Sequence, residues 1–171
     1  TAASAAALVE MVANLTIGKK GYEEIEKLMV SIRDKAGPYA NALDGIAEDA
    51  AAFDNVIRSV RLTQGYARSA AIVEQAFKDA ATSPFELGKD IFALLQLAEQ
   101  AVRYGTLGHH RRGHCRHERQ SRYALGFYSV RINLRSIKDE AFVARMIAQI
   151  REIEEKAVMV EQNVEYEYRQ R

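Results

Sequence analysis

Apolar residues recur along this chain at steps of three and four, the period of an amphipathic helix. From Tyr22, the positions Ile25, Leu28, Met29 and Ile32 form one stripe, with Glu23, Glu24, Glu26, Lys27 and Arg33 on other faces. That pattern predicts a helix stopped near Gly37-Pro38, where proline removes a backbone donor. Ahead of it, a run of Ala and Ser followed by Leu8, Val9, Met11, Val12 and Leu15 suits a helix packed closely on its neighbours. Gly18 and Gly21 bracket Lys19-Lys20 and end that helix. A further helix is expected from about Tyr39 to Leu62, with Phe53, Ile57 and Val60 on a stripe, and another from Ala67 to Ala81. Ser83-Pro84-Phe85-Glu86 has the composition of a capping box with proline at the first helical position, so a new helix is expected there. Its stripe runs through Ile91, Leu94, Leu95, Ala98 and Val102 to Gly105. Ser136-Ile137-Lys138-Asp139 reads as a second cap, launching Phe142, Met146, Ile150, Ile153, Ala157, Val160 and Val164. No strand-like alternation bounded by hairpin turns competes. The expected fold is therefore all-α: a single-domain antiparallel helical bundle over residues 1–171 with short connections, no internal repeat and no low-complexity linker.

Charge adds little at the level of the whole chain. With 24 Lys+Arg against 23 Asp+Glu, the net charge of +1 gives no reason to expect binding to nucleic acid or to anionic lipid over the whole surface. No stretch of about 18 apolar residues could span a bilayer, so no membrane partner is expected. The chain opens on Thr1-Ala2-Ala3-Ser4 with no initiator Met and no signal-type run, and reads as entered part-way through a helix. One cysteine excludes an internal disulfide framework and suits a reducing compartment.

Local charge is more unusual. All four histidines (His109, His110, His114, His117), Cys115 and five arginines lie between 109 and 122, a segment of net charge +4. On a helix, His110, His114 and His117 would share a face, and imidazole with thiolate is a usual zinc or copper shell. The arginines oppose a dication, and only Glu118 offsets them. Nor does the segment have the interleaved aromatics of a single-strand binder. A solvated basic loop outranks both a metal site and a polyanion site. Elsewhere, Glu48, Asp49 and Asp54 crowd one helix, although Asp49 and Asp54 diverge by more than a quarter turn. Lys19 and Lys20 could hold an anion, and Arg103-Tyr104 could reach a ligand from a helix end. Asn133 is an amide in an apolar run and needs hydrogen-bond partners if buried.

The run Met11-Val12-Ala13-Asn14-Leu15-Thr16-Ile17-Gly18-Lys19-Lys20-Gly21-Tyr22 resembles the cyclodeaminase/cyclohydrolase family, which comprises methenyltetrahydrofolate cyclohydrolases and the cyclodeaminase domain of formiminotransferase-cyclodeaminase. Further matches follow in the family's order: Asp49-Ala50-Ala51-Ala52-Phe53-Asp54, Ser83-Pro84-Phe85, Leu97-Ala98-Glu99-Gln100-Ala101-Val102-Arg103-Tyr104-Gly105, Val130-Arg131-Ile132-Asn133-Leu134-Arg135-Ser136-Ile137 and Asp139-Glu140-Ala141-Phe142. The resemblance implies an all-α homodimer of the formiminotransferase-cyclodeaminase C-terminal type, in the cytoplasm, with a folate derivative as substrate and a formiminotransferase as possible partner. Methenyltetrahydrofolate hydrolysis to the formyl product is the first reaction it implies. The alternatives are formiminotetrahydrofolate cyclodeamination and an inactive bundle or basic-loop binder. Both reactions move protons at one carbon and one nitrogen, so Asp49 or Asp54 is expected in the acid/base role. Lys19, Lys20, Arg103 and Asn133 are expected on the folate, with no metal and no redox cofactor.

Two departures from the family stand out. A Pro-x-Pro-Gly-Gly-Gly-Ser segment that the family carries ahead of the first helix is not in this sequence, so the chain is expected to be an N-terminally incomplete copy. After Arg103-Tyr104-Gly105, where Thr106 stands in place of the family's Asn, this chain is basic and the family is apolar and acidic. Back-translation of His109 to Glu118, read from the second base, permits I-T-D-V-G-I-A-A-M-N, which is the family's own order. Residues 109 to about 124 are therefore read as the family segment in a shifted frame, with the frame restored before Phe127. Sequencing the coding DNA across codons 105 to 127 tests this reading: an unshifted frame there sinks it.

Overall fold

A computed structural model describes residues 2–40, 44–62, 69–106 and 120–170; of 2, 40, 44–50, 62, 69, 120–126, 168 and 170 it describes the backbone alone. Six α-helices lie within them: α1 (Ala2–Thr16), α2 (Glu26–Ala40), α3 (Asp44–Leu62), α4 (Ser69–Tyr104), α5 (Gln120–Leu134) and α6 (Glu140–Gln170). A short 3-10 turn, Glu23–Ile25, leads into α2, and no strand occurs among the described residues. The all-α expectation is thus met. The chain divides into two compact units, described separately below: Thr1–Ala42 with Asp90–Arg116 and Glu154–Arg171, and Leu43–Lys89 with His117–Ile153.

In the first unit, small residues let helices approach closely. Ala6, Val9, Val12 and Ala13 of α1 pack with Met29, Ile32 and Ala36 of α2 and with Leu94, Leu97 and Ala101 of α4. Gly105 closes α4 against α1, because a Cβ there would lie 2.5 Å from the Ala101 carbonyl oxygen and 2.7 Å from Val12 Cγ1. Thr16 joins the same corner: its hydroxyl donates to the Val12 carbonyl at 2.8 Å and accepts the Thr106 N–H at 3.2 Å. The opposite face of α1 leaves Leu8, Met11 and Leu15 exposed.

The second unit is built on larger side chains. Phe85 of α4 meets Phe127 of α5 with ring centroids 6.2 Å apart, and Val130, Leu134, Met146 and Ile150 complete the cluster. Gly88 makes room for this pair, since a Cβ there would stand 2.5 Å from the Phe127 ring. On α3 the predicted stripe faces outward. Phe53, Ile57 and Val60 are exposed, and among the described residues of α3 Val56 is buried with Ala76 and Ala80.

Three predicted helix boundaries are corrected. Ser83-Pro84 does not start a helix, because α4 runs unbroken from Ser69 to Tyr104 with Pro84 inside it. Proline there has no N–H for the carbonyl of Ala80, four residues earlier. Asn133 of α5 replaces that donor, its Nδ2 lying 2.7 Å from the Ala80 oxygen. This is the partner that an amide in an apolar run requires. Similarly, α2 continues through Pro38 to Ala40. Asp34 and Pro38 are both exposed, so water can take the carbonyl that this proline frees. Lastly, the cap of α6 is Asp139 rather than Ser136: its Oδ1 accepts the Phe142 N–H at 3.0 Å, the N-cap to N3 bond. Asp139 is held by two further groups, Lys78 Nζ on its Oδ2 at 2.7 Å and Glu74 Oε1 on its own N–H at 2.9 Å. The apolar series along α6 is as expected, with Met146, Ile150, Ala157, Val160 and Val164 all buried.

Candidate functional site

The first unit carries an open cleft of about 380 Å³ where the turn after α1 meets the end of α4. The turn exists because Gly18 and Gly21 take positive φ angles of 72° and 90°, a region that only glycine enters without strain. They reverse the chain and carry it into the Glu23–Ile25 turn. Tyr22, Glu23, Glu24 and Ile25 form one wall of the cleft, and Arg103 and Tyr104 form the other. The Gly105 and Thr16 contacts fix the α4 end at that height.

Both charge signs are present. Gly21 N–H donates to Glu23 Oε1 at 3.0 Å, and that bond, with one from the Glu23 backbone, holds the Glu23 carboxyl below its ordinary value of 4.5. Glu23 is therefore a fixed anion near neutral pH and a weak base. Arg103 lies 5.6 Å from the Tyr104 ring centroid and pairs with Glu167 of α6 at 3.4 Å, with just over half of its side chain exposed. Lys19 Nζ sits 5.6 Å from the Tyr22 ring centroid. The cleft thus brings one guanidinium, two phenol rings and two carboxylates together.

Of the six predicted site residues, the structure brings Lys19, Lys20 and Arg103 into the first unit. Lys20 is exposed on the glycine turn, Lys19 lies over the Tyr22 ring, and Arg103 lines the cleft. Asp54 and Asn133 belong to the other unit. Asp54 is exposed on α3, and Asn133 spends its amide nitrogen on Ala80. Asp49 falls in the backbone of α3, and its side chain lies outside the described residues, as do all four histidines and Cys115. Tyr104 joins Arg103 at the cleft, as the sequence allowed, whereas Tyr22 and Glu23 are not expected there from the sequence. Their adjacency to Lys19 and Arg103 was the available signal, but linking residues 22 and 104 needed the α1–α4 contact.

The first unit thus carries a mixed-charge cleft, held by a glycine turn and a helix end, in an all-α chain. A profile of the formiminotransferase-cyclodeaminase family matches residues 1–152, and the chain belongs to that family. It is 36% identical over 110 residues, 61% of this chain and 53% of the relative, to a methenyltetrahydrofolate cyclohydrolase of Methylorubrum extorquens. It is 25% identical over 169 residues to a formimidoyltransferase-cyclodeaminase of Sus scrofa, covering 92% of this chain and 30% of that one. The chain thus spans about half the length of the bacterial relative and under a third of the porcine one. Among solved structures, a formiminotetrahydrofolate cyclodeaminase from Thermotoga maritima superposes with a TM-score of 0.69 at 25% identity, over 98% of this chain and 83% of that one. The family and the fold class expected from the sequence are both borne out. Among the described residues, no helix is long and apolar enough to cross a membrane.

Proposed function

We propose that the chain is the helical domain of a folate one-carbon enzyme that hydrolyses methenyltetrahydrofolate to formyltetrahydrofolate. One observation carries this reading: the cleft pairs Glu23 and Glu24 with Arg103, beside two tyrosine rings. Methenyltetrahydrofolate has the matching polarity, a cationic amidinium at one end of an aromatic system and a carboxylate tail at the other. The carboxylates favour the cation by charge, the rings offer stacking surface, and Arg103 with Lys19 and Lys20 holds the tail. Water then adds to the amidinium carbon, loses a proton and opens the ring. Only water and protons move, so the reaction calls for no metal or redox cofactor. The 36% identity to a cyclohydrolase supports this choice over its rival.

The rival is formiminotetrahydrofolate cyclodeamination, favoured by the solved structure that superposes along nearly the whole chain. Asp49 or Asp54 in the acid/base role and Asn133 on the folate are proposed from the family resemblance alone, since all three belong to the other unit and neither Asp54 nor Asn133 lines the cleft. A single domain over 1–171, a homodimer using the exposed Leu8, Met11 and Leu15 face of α1, a formiminotransferase partner and cytoplasmic residence belong to the same proposal.

The test uses the full-length chain with 109–124 restored to the family frame. Loss of methenyltetrahydrofolate absorbance above the spontaneous rate supports hydrolysis, and ammonia release from formiminotetrahydrofolate supports the rival. Neither activity in a folded protein leaves the inactive bundle. Arg103→Ala should raise KM about tenfold with kcat nearly unchanged, the signature of lost ground-state binding worth one charge-assisted hydrogen bond. Asp54→Asn should lower kcat by about a hundredfold if that carboxylate moves the proton; an unchanged kcat removes it from the role.

A further inference from the structure

The second half of α6, from Glu154 onward, belongs to the first unit together with the end of α4. It lies beyond residues 1–152, the stretch that the family profile matches. Two polar contacts join the helices there. Asn163 Nδ2 donates to Glu99 Oε1 at 2.9 Å, and Arg103 Nε lies 3.4 Å from Glu167 Oε1. The same offset of 64 residues separates the partners of both pairs, and each helix advances one turn between them. The end of α4 and the end of α6 therefore run in the same direction, with their register set by these two pairs. The second pair falls on Arg103, the guanidinium that lines the cleft. We propose that Glu167 is a positioning residue, which holds the Arg103 guanidinium at the cleft for the carboxylate tail of the ligand. The proposal rests on the reading of the cleft as the folate site.

Exposure explains why a holder matters. The Arg103 side chain is 54% exposed, and a long side chain in that position would otherwise spread over many rotamers, an entropy that each binding event would have to remove. The Glu167 carboxylate on one side and the Tyr104 ring, 5.6 Å from the guanidinium carbon, restrict it in advance. Glu167 can do this because it is itself the more enclosed partner, with 25% of its side chain exposed. The contact is made at Nε, the nitrogen nearest the stem, and a guanidinium carries donors on all three nitrogens. A carboxylate at Nε is therefore compatible with a second one on the outer pair. Glu167 is also not among the residues that line the cleft, so it stands behind the arginine rather than in the ligand's place. An anion that blocked Arg103 would act in the opposite sense, and its removal would tighten binding.

The test uses the same full-length chain as the activity assay, with Glu167→Ala, Arg103→Ala and the double variant. For methenyltetrahydrofolate, Glu167→Ala should raise KM about threefold to fivefold, the reach of an ion pair between partly exposed side chains, with kcat nearly unchanged. Its thermal midpoint should stay within a few degrees, and Glu167→Gln, which keeps an acceptor oxygen, should fall between it and the parent. The double variant should match Arg103→Ala alone, because a residue that acts through Arg103 has nothing to hold once Arg103 is gone. A lowered KM would make Glu167 a competitor of the ligand, an unchanged KM would leave the contact idle, and additive losses would route the effect around Arg103. Each of these overturns the proposal. A second readout needs no folate. The Arg103 Nε–H signal in 15N NMR spectra, identified by its loss in Arg103→Ala, should exchange with water about threefold faster in Glu167→Ala. Equal exchange overturns the proposal even where turnover is normal. Faster exchange in a chain that neither binds nor turns over the folate supports Glu167 as the holder of Arg103 and sinks the folate reading alone.

Discussion

The two units bury their helices by opposite means. In the first, Ala6, Ala13, Ala36, Ala101 and Gly105 bring backbones together, and a hydroxyl, Thr16, serves the corner. In the second, Phe85 and Phe127 fill the space, and an amide, Asn133, mends a proline in the middle of α4. Close backbone packing leaves little to trim and little room to add; ring packing is vulnerable to removal. The same contrast separates the clefts. The first unit's cleft carries both charge signs on a glycine turn, and a groove between α5 and α6 in the second unit has Leu134, Val143 and Ile147 as an aliphatic floor.

The largest effect should come from the ring-packed unit. Phe127→Ala removes a fully buried ring and is expected to cost about 3–5 kcal/mol in chemical denaturation, with the cavity left between Phe85 and Gly88. A loss below about 1 kcal/mol would mean that the ring cluster does not carry this unit. Next in size is Gly105→Ala in the close-packed unit, expected to cost about 1–3 kcal/mol because the added methyl meets a backbone carbonyl that cannot swing aside. If Gly105→Ala is neutral, the close approach of α4 to α1 is looser than the contacts imply.

Asn133→Ala should cost about 1–3 kcal/mol by leaving the Ala80 carbonyl without its donor. In a Pro84→Ala background most of that cost should vanish, because residue 84 regains an N–H for the same carbonyl. Additive losses in this double-mutant cycle would contradict the repair. The smallest effect concerns the α6 cap. Lys78, and then the Phe142 N–H, hold the Asp139 carboxyl below its ordinary value of 3.8. A depressed pKa contributes stability above the unfolded-state value, and that contribution is lost as pH falls through the folded-state value. Asp139→Asn should therefore lower the thermal midpoint slightly near pH 6, and the gap to the parent should close below about pH 3.8. A gap that persists in acid would assign the effect to packing.

Helix type was legible because burial of one face dictates its period. Met29 with Ile32, and Met146 with Ile150, alternate as a one-sided helix must, and all four are buried. The glycine stop at 18 and 21 was legible for a local reason too, since positive φ is a property of single residues. The boundaries at Pro38, Pro84 and Ser136 were misread because local signals are conditional. A proline ends a helix only if nothing serves the freed carbonyl, and at Pro84 the server is 49 positions away on α5. The outward turn of Phe53, Ile57 and Val60 was hidden for a related reason: periodicity marks a stripe without saying what it faces.

Site residues divide the same way. Lys19, Lys20 and Arg103 could be nominated from charge at a turn and at a helix end. Their convergence with Tyr22, Glu23 and Tyr104 could not, because it depends on Gly105 letting α4 close on α1. By itself, the sequence determined the helical class, the glycine turn and, through its runs of family-matching residues, the family. These are matters of backbone propensity, one-dimensional period and inherited order. Only the tertiary structure decided which stripes are covered, that Asn133 repairs α4, and which charges share a cleft. Each of these is a meeting of residues far apart in the chain, set by packing distances that no local pattern contains.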